Sequence, residues 1–230
     1  MNKSMALASI AAACCNLASA QSSVTLFGVI DVNVGWIQND ARTWQLGTNG
    51  MSTGRLGFRG TEDMGGGLKA GFWLEGEFDA DTGRGSASFG NGDPDSFFAF
   101  LRRSTVSLSN PYGELRLGRD YVPTYWTWSV YDPFGSAGVG NSQNLQQDRE
   151  LFTGTNGSYG TASRANNLAS VILPGGTTGD GLTGQLSVAA GENAPGNKYI
   201  GGRIGYASGP YSVAAAYGVT HVTVSGDITA

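Results

Sequence analysis

What most constrains this chain is a two-residue alternation of apolar and polar side chains, recurring in short stretches between Gly- and Asn-rich turns. The clearest stretch runs from Val24 to Trp36. One phase carries Val24, Leu26, Ile30, Val32, Val34 and Trp36; the other carries Thr25, Asp31 and Asn33. Side chains alternate faces along a strand, so this ribbon is apolar on one side and polar on the other. A chain of many such ribbons has two outlets. It hides its apolar faces in a sandwich core, or it turns them to lipid around a wet interior as a barrel.

Residues 1–20 read as a secretory signal peptide. Lys3 and the amino terminus supply the positive charge, Met5 to Ala13 the short apolar run, and Ala18-Ser19-Ala20 the cleavage site. Ala11-Ala12-Ala13-Cys14 lacks the leucine expected of a lipoprotein signal. Both cysteines, Cys14 and Cys15, lie in this leader, which excludes a disulfide scaffold or thiolate metal site in the chain from Gln21 onward. Loss of Lys3 takes the formal charge from −4 to −5. An acidic chain without a basic cluster is not built for nucleic acid. Charged residues make up only 14%, against about 25% in ordinary soluble domains. No apolar run is long enough for a membrane helix.

Further strands follow the first, with turn signals between them. Arg55 to Glu62 sets Leu56 and Phe58 against Arg55 and Arg59. After the turn Met64-Gly65-Gly66-Gly67, the stretch Leu68 to Phe78 puts Lys69, Trp73, Glu75 and Glu77 on the polar face. Phe97 to Leu108 and Glu114 to Arg119 flank the turn Asn110-Pro111-Tyr112-Gly113. Alternation returns near Leu182, Ile200 and Tyr211 to Val219. About nine strands result, several near the 9–11 residues of a tilted membrane strand. Long loops at 38–50 and 79–96 alternate with tight turns at 63–67 and 110–113, the asymmetry of outer-membrane barrels. Residues 120–163 carry no sustained alternation and read as a functional loop. The rival is a secreted β-sandwich, a binding or adhesin domain, since exposed sandwich faces are also polar.

Two catalytic patterns fail on context. Gly50-Met51-Ser52-Thr53-Gly54 matches a nucleophile elbow, but that motif needs a strand before it and a helix after it, and here an alternating strand follows. Glu75 and Glu77 share a face like paired glycosidase acids, without anything that divides acid from base. No catalytic residue or cofactor is expected, beyond weak Ca²⁺ binding by acidic loops.

Several ordered motifs carry a resemblance. Gln21 to Asp31, Ser52 to Ala70, Arg102 to Leu108, Gly113 to Arg119, Arg164 to Asn167 and Gly209 to Ala214 resemble the general porins of beta-proteobacterial outer membranes, above all the anion-selective ones. That resemblance implies a trimer of 16-stranded antiparallel transmembrane β-barrels in the outer membrane of a Gram-negative bacterium. Lipid and lipopolysaccharide would surround it, and small anions and hydrophilic solutes would pass through. Residues 21–230 would be its barrel and cover roughly the first nine strands. The third loop, folded inward to narrow the pore, would be 120–163. Ending at Ala230 instead of a terminal aromatic, the chain reads as an N-terminal part of a longer porin.

The resemblance places pore-constriction arginines at Arg55, Arg102 and Arg164, with Asp132 near the loop tip. Arg59, Lys69, Glu75 and Arg103 line the pore further along. Arginine stays protonated at any physiological pH and would hold a field across the constriction. Strict alternation supports Arg55. At the next strand it favours Arg103 over Arg102, because Arg102 shares a phase with Val106 and Leu108; a bulge between Arg102 and Val106 would reconcile the two. The loop's Asp120, Asp132, Asp148 and Glu150 face Arg149. The wall arginines plus Lys69 are expected to outweigh the acids that face the pore, giving an anion preference.

Overall fold

A computed structural model describes residues 23–38, 42–85, 98–142, 161, 163–191 and 198–221. The expected signal peptide lies outside the described residues. The strands are β1 Ser23–Val29, β2 Val32–Gln38, β3 Arg42–Thr48, β4 Arg55–Gly65, β5 Leu68–Asp79 and the two-residue β6 Arg84–Gly85. They continue as β7 Arg103–Asn110, β8 Gly113–Tyr121, β9 Arg164–Ile172, β10 Gly181–Ala189, β11 Lys198–Ser208 and β12 Tyr211–His221. One short helix, α1 Pro123–Ser129, follows β8.

Hydrogen bonding runs β1-β4-β5-β7-β8-β9-β10-β11-β12, every neighbour antiparallel. β6 pairs back on the end of β5, and β2 pairs with β3 as a separate ribbon. The sheet therefore orders its strands as successive hairpins, as an up-and-down barrel wall requires.

Exposure decides between barrel and sandwich. The apolar phases lie open: Leu26 is 61% exposed, Leu186 70% and Tyr217 77%. The polar phases are covered: Glu75, Glu77, Thr105, Gln185 and Arg203 are all buried. A sandwich does the reverse, so apolar groups here face a non-aqueous surrounding and polar groups face inward. A small apolar cluster of Val122, Ala165, Leu168, Ala189 and Tyr199, with Tyr125 against it, sits where the segment after β8 meets the inner wall.

Three expectations need correction. Residues 38–50, expected as a long loop, contain β3, whose Trp44 lies opposite Trp36 and whose Leu46 lies opposite Val34. Residue types that favour turns, Asn and Asp before it in the sequence and Asn49 and Gly50 after it, hid the short alternation. The first ribbon is not continuous either: it breaks at Ile30–Asp31 into β1 and β2. Asp31 leaves the ladder so that its carboxylate accepts the N–H groups of Gly50 at 3.0 Å, Met51 at 2.9 Å and Ser52 at 2.8 Å. The elbow-like Gly50–Gly54 run is thus a clasped excursion between β3 and β4. Finally, β7 starts at Arg103 instead of Phe97, because Phe98 and Phe100 leave the ladder to pack edge to face, 5.6 Å between ring centres. Of the expected loop 79–96, the turn after β5 closes through Gly83 N–H on the Asp79 carbonyl at 2.8 Å; residues 86–96 lie outside the described set.

Candidate functional site: the inner wall and the inward segment

Alternation aims Glu75 and Glu77 of β5 inward, and Arg55 of β4 lies directly opposite Glu77 in the ladder. Arg102 escapes alternation because it precedes β7. Its N–H binds the Glu75 carbonyl at 3.0 Å, and its side chain turns inward without a bulge: β5 and β7 stay in unbroken register from Glu75↔Arg103 to Lys69↔Ser109. The guanidinium spans both acids, Nε to Glu75 Oε1 at 2.6 Å and Nη1 to Glu77 Oε2 at 3.1 Å. Its Nη2 donates to the Tyr121 hydroxyl at 2.9 Å.

Arg164 opens β9 opposite Tyr121. It donates from Nη2 to the same hydroxyl at 2.5 Å and from Nε to the Arg102 carbonyl at 2.8 Å. Its guanidinium carbon also lies 4.1 Å from the centre of the Tyr121 ring. Arg102 and Arg164 therefore meet on one phenol oxygen, and both are buried. Arg55 is half-buried and donates to the Thr53 carbonyl at 3.4 Å.

A second cluster lies further along the wall. Arg103 stacks on Trp73 at 4.4 Å and pairs with Asp120 at 3.4 Å. Arg116 reaches Asp120 and Glu114, both at 2.8 Å. Arg59 is exposed and rests on Phe27 at 5.4 Å and Trp73 at 5.1 Å. Trp73 Nε1 donates to Glu75 at 3.0 Å, joining the two clusters. Arg59, Trp73, Arg103, Glu114 and Arg116, with the hydroxyls of Thr25, Thr105, Ser107 and Ser109, line an open cavity of about 450 Å³. Lys69 lies exposed near the turn, opposite Asp63 and Ser109 and apart from both clusters.

The segment after β8 folds against the opposite wall. Pro123 starts α1 with its φ preset for a helix, and α1 packs on β10, β11 and β12. The inner phases of β11 and β12 make room for it. The Tyr199 ring lies over Gly201 and Gly218, where any Cβ would collide with it. Hydroxyl pairs fasten the segment: Thr124 to Tyr199 at 3.2 Å, Tyr131 to Ser212 at 3.0 Å, and Thr161 to Thr220.

Asp132 does not join the arginines. Its carboxylate accepts Ser142 N–H at 3.0 Å, Ser142 Oγ–H at 2.8 Å and Phe134 N–H at 2.9 Å, closing the tip of the segment on itself. Those donors, Ser142 N–H foremost, hold the carboxyl below its ordinary range.

Comparisons with known proteins now decide the family. The model of the Gram-negative porins matches residues 6–230. Outer membrane porin protein 32 of Delftia acidovorans is 43% identical over 98% of this chain and 62% of its own length. An outer membrane porin of Bordetella pertussis is 33% identical over 62% of this chain and 39% of its own. The solved anion-selective porin from Comamonas acidovorans matches with TM-score 0.72 at 42% identity, over 88% of this chain and 59% of that one.

The chain belongs to the Gram-negative porin family.

It is an outer-membrane protein whose sheet is an antiparallel transmembrane barrel wall, and the sandwich reading falls. An OmpF of Salmonella typhi shares the fold alone, TM-score 0.56 at 18% identity. The chain spans about 62% of the length of the Delftia relative. Sequence reasoning missed Tyr121, Asp120, Glu114 and Arg116 of this porin wall. The inward phase of Glu114 and Arg116 is legible in the sequence, whereas Asp120 and Tyr121 fall in the loop expected over 120–163 and belong instead to the end of β8. The glycines and alanines on the inner phase of β11 and β12 were the signal that something docks there.

Proposed function

We propose that this chain forms the wall and constriction of a passive diffusion channel for small hydrophilic solutes and ions, with a preference for anions, and that it acts as a homotrimer. The carrying observation is the charge balance of the inner wall. In the two clusters of that wall, Arg55, Arg59, Arg102, Arg103, Arg116 and Arg164 exceed Glu75, Glu77, Glu114 and Asp120 by two. Because arginine does not titrate, that excess persists at any physiological pH. A segment docked inside the wall narrows the passage, and the anion selectivity stated for the Comamonas relative agrees with the sign. The constriction comprises Arg55, Arg102 and Arg164; Asp132 shapes the tip of the facing segment.

The exposed apolar face fits lipid and lipopolysaccharide around the protein. No chemical step and no cofactor belong to this reading: the inward acids are spent on ion pairs. Weak Ca²⁺ binding by acidic loops remains part of the proposal.

Planar-bilayer recordings in a KCl gradient test it. Stepwise conductance with a reversal potential displaced toward that of chloride is expected, and Arg55→Ala should reduce the displacement. An absence of conductance steps would overturn the channel reading; an unchanged reversal potential in the variant would overturn the role of Arg55.

A further inference from the structure

Arg203 stands apart from the other inward arginines. It lies on β11 with only 6% exposure. Its Nη1 donates to Thr183 Oγ1 at 3.1 Å, and its Nε, also buried, has no hydrogen-bond partner. Arg102, Arg103 and Arg116 each reach a carboxylate; among the described residues Arg203 reaches none. A buried charge is costly unless paired, and a guanidinium cannot shed its proton to escape that cost.

The surroundings are polar but not acidic. Gln185 is the direct ladder partner of Arg203, and its Oε1 is a second buried atom without a partner. Its Nε2 donates to Ser187 at 3.0 Å, and Ser187 shares a hydrogen bond with Ser170 at 2.7 Å. Ser170 is 1% exposed, Gln185 and Ser187 2%, and Thr183 3%. This polar patch lies on the inner wall where α1 packs on β10 and β11, and it adjoins the charged wall at one edge: Gln185 Nε2 also reaches the Tyr121 carbonyl at 3.5 Å, and Ser170 is the ladder partner of Arg116.

We propose that Arg203 holds a small monovalent anion, a halide, between the inner wall of β10–β11 and the inward segment. A halide accepts from several directions and needs no donor in return. It would take Nε–H of Arg203, the Thr183 hydroxyl and, after rotation of the amide, the Gln185 NH₂ group. The ion is a resident of the fold rather than a traveller through the passage. It neutralises a buried arginine whose Nε the wall leaves without a partner. Burial and the lack of a partner create this site, so it holds even if the pore shows no anion preference.

Crystals of the whole porin grown with NaBr in place of NaCl test it by anomalous scattering. An anomalous peak in contact with Arg203 and Thr183 is expected, lost in Arg203→Gln and kept in Arg203→Lys. The wild-type map decides on its own should a variant fail to fold. Bromide only at wall arginines such as Arg59, or none at all, would overturn the proposal. So would a carboxylate of the chain itself in that place.

Discussion

The two halves of the inner wall are built from the same alternating strands and do opposite things. From β4 to the start of β9 the inward phase is long and charged, and its arginines are laced to carboxylates, a phenol and two aromatic rings. On β11 and β12 the inward phase is mostly Gly, Ala, Ser and Thr, and a folded segment rests on it. One half presents charge to the interior of the sheet, and the other gives up side-chain volume to the segment folded on it. An inward phase is therefore a choice of what fills the lumen, water or protein, and side-chain size records that choice.

The charged half is the easier to break. Arg102→Ala leaves Glu75 and Glu77 buried side by side without their cation, and breaking such a pair costs about 3–5 kcal/mol. Heat-modifiable gel migration should show unfolding at lower temperature. The triple change Arg102→Met, Glu75→Gln, Glu77→Gln should recover most of that loss, because no charge is then left unpaired.

The small half should respond to volume instead. Gly218→Leu drives a side chain into the Tyr199 ring and pushes it off Thr124. The overpacking costs about 1–3 kcal/mol, and a displaced segment should raise single-channel conductance. A variant with unchanged conductance would mean that the segment does not limit the passage.

Arg59→Ala removes a cation held by two rings, a loss of about 1 kcal/mol. It should lower anion preference less than Arg55→Ala does, which paired reversal potentials would show. The smallest effect concerns Asp132. Its carboxyl is held below the ordinary range, so the fastening of the segment tip is complete above about pH 4. It is lost as pH falls through the depressed folded value. Open-channel noise should rise in strong acid in the native protein. In Asp132→Asn it should already be high at neutral pH and change little on acidification.

Much of this was legible in the chain. The period-two pattern gave the antiparallel strands and the inward phase of Arg55, Arg59, Glu75 and Glu77, since side-chain direction follows from strand geometry alone. Nine strands in hydrogen-bonded succession agree with the number expected. Where the chain leaves the ladder, counting failed. Arg102 turns inward from outside β7, so the bulge expected between Arg102 and Val106 is not needed, and Arg102 and Arg103 both face the interior. Asp31 abandons its strand for the amides of Gly50–Ser52, and β3 hides in what read as a loop.

By itself the sequence determined most of the strands and the two-faced character of the sheet, because these depend on residue type and parity. Only the tertiary structure decided which charges are spent on one another. Asp132 closes its own segment, Arg102 is bound by two acids, and Arg203 lies buried with no carboxylate among the described residues. Such pairings join residues tens of positions apart, and their distances are set by strand register and by where the segment lands, neither of which a local pattern encodes.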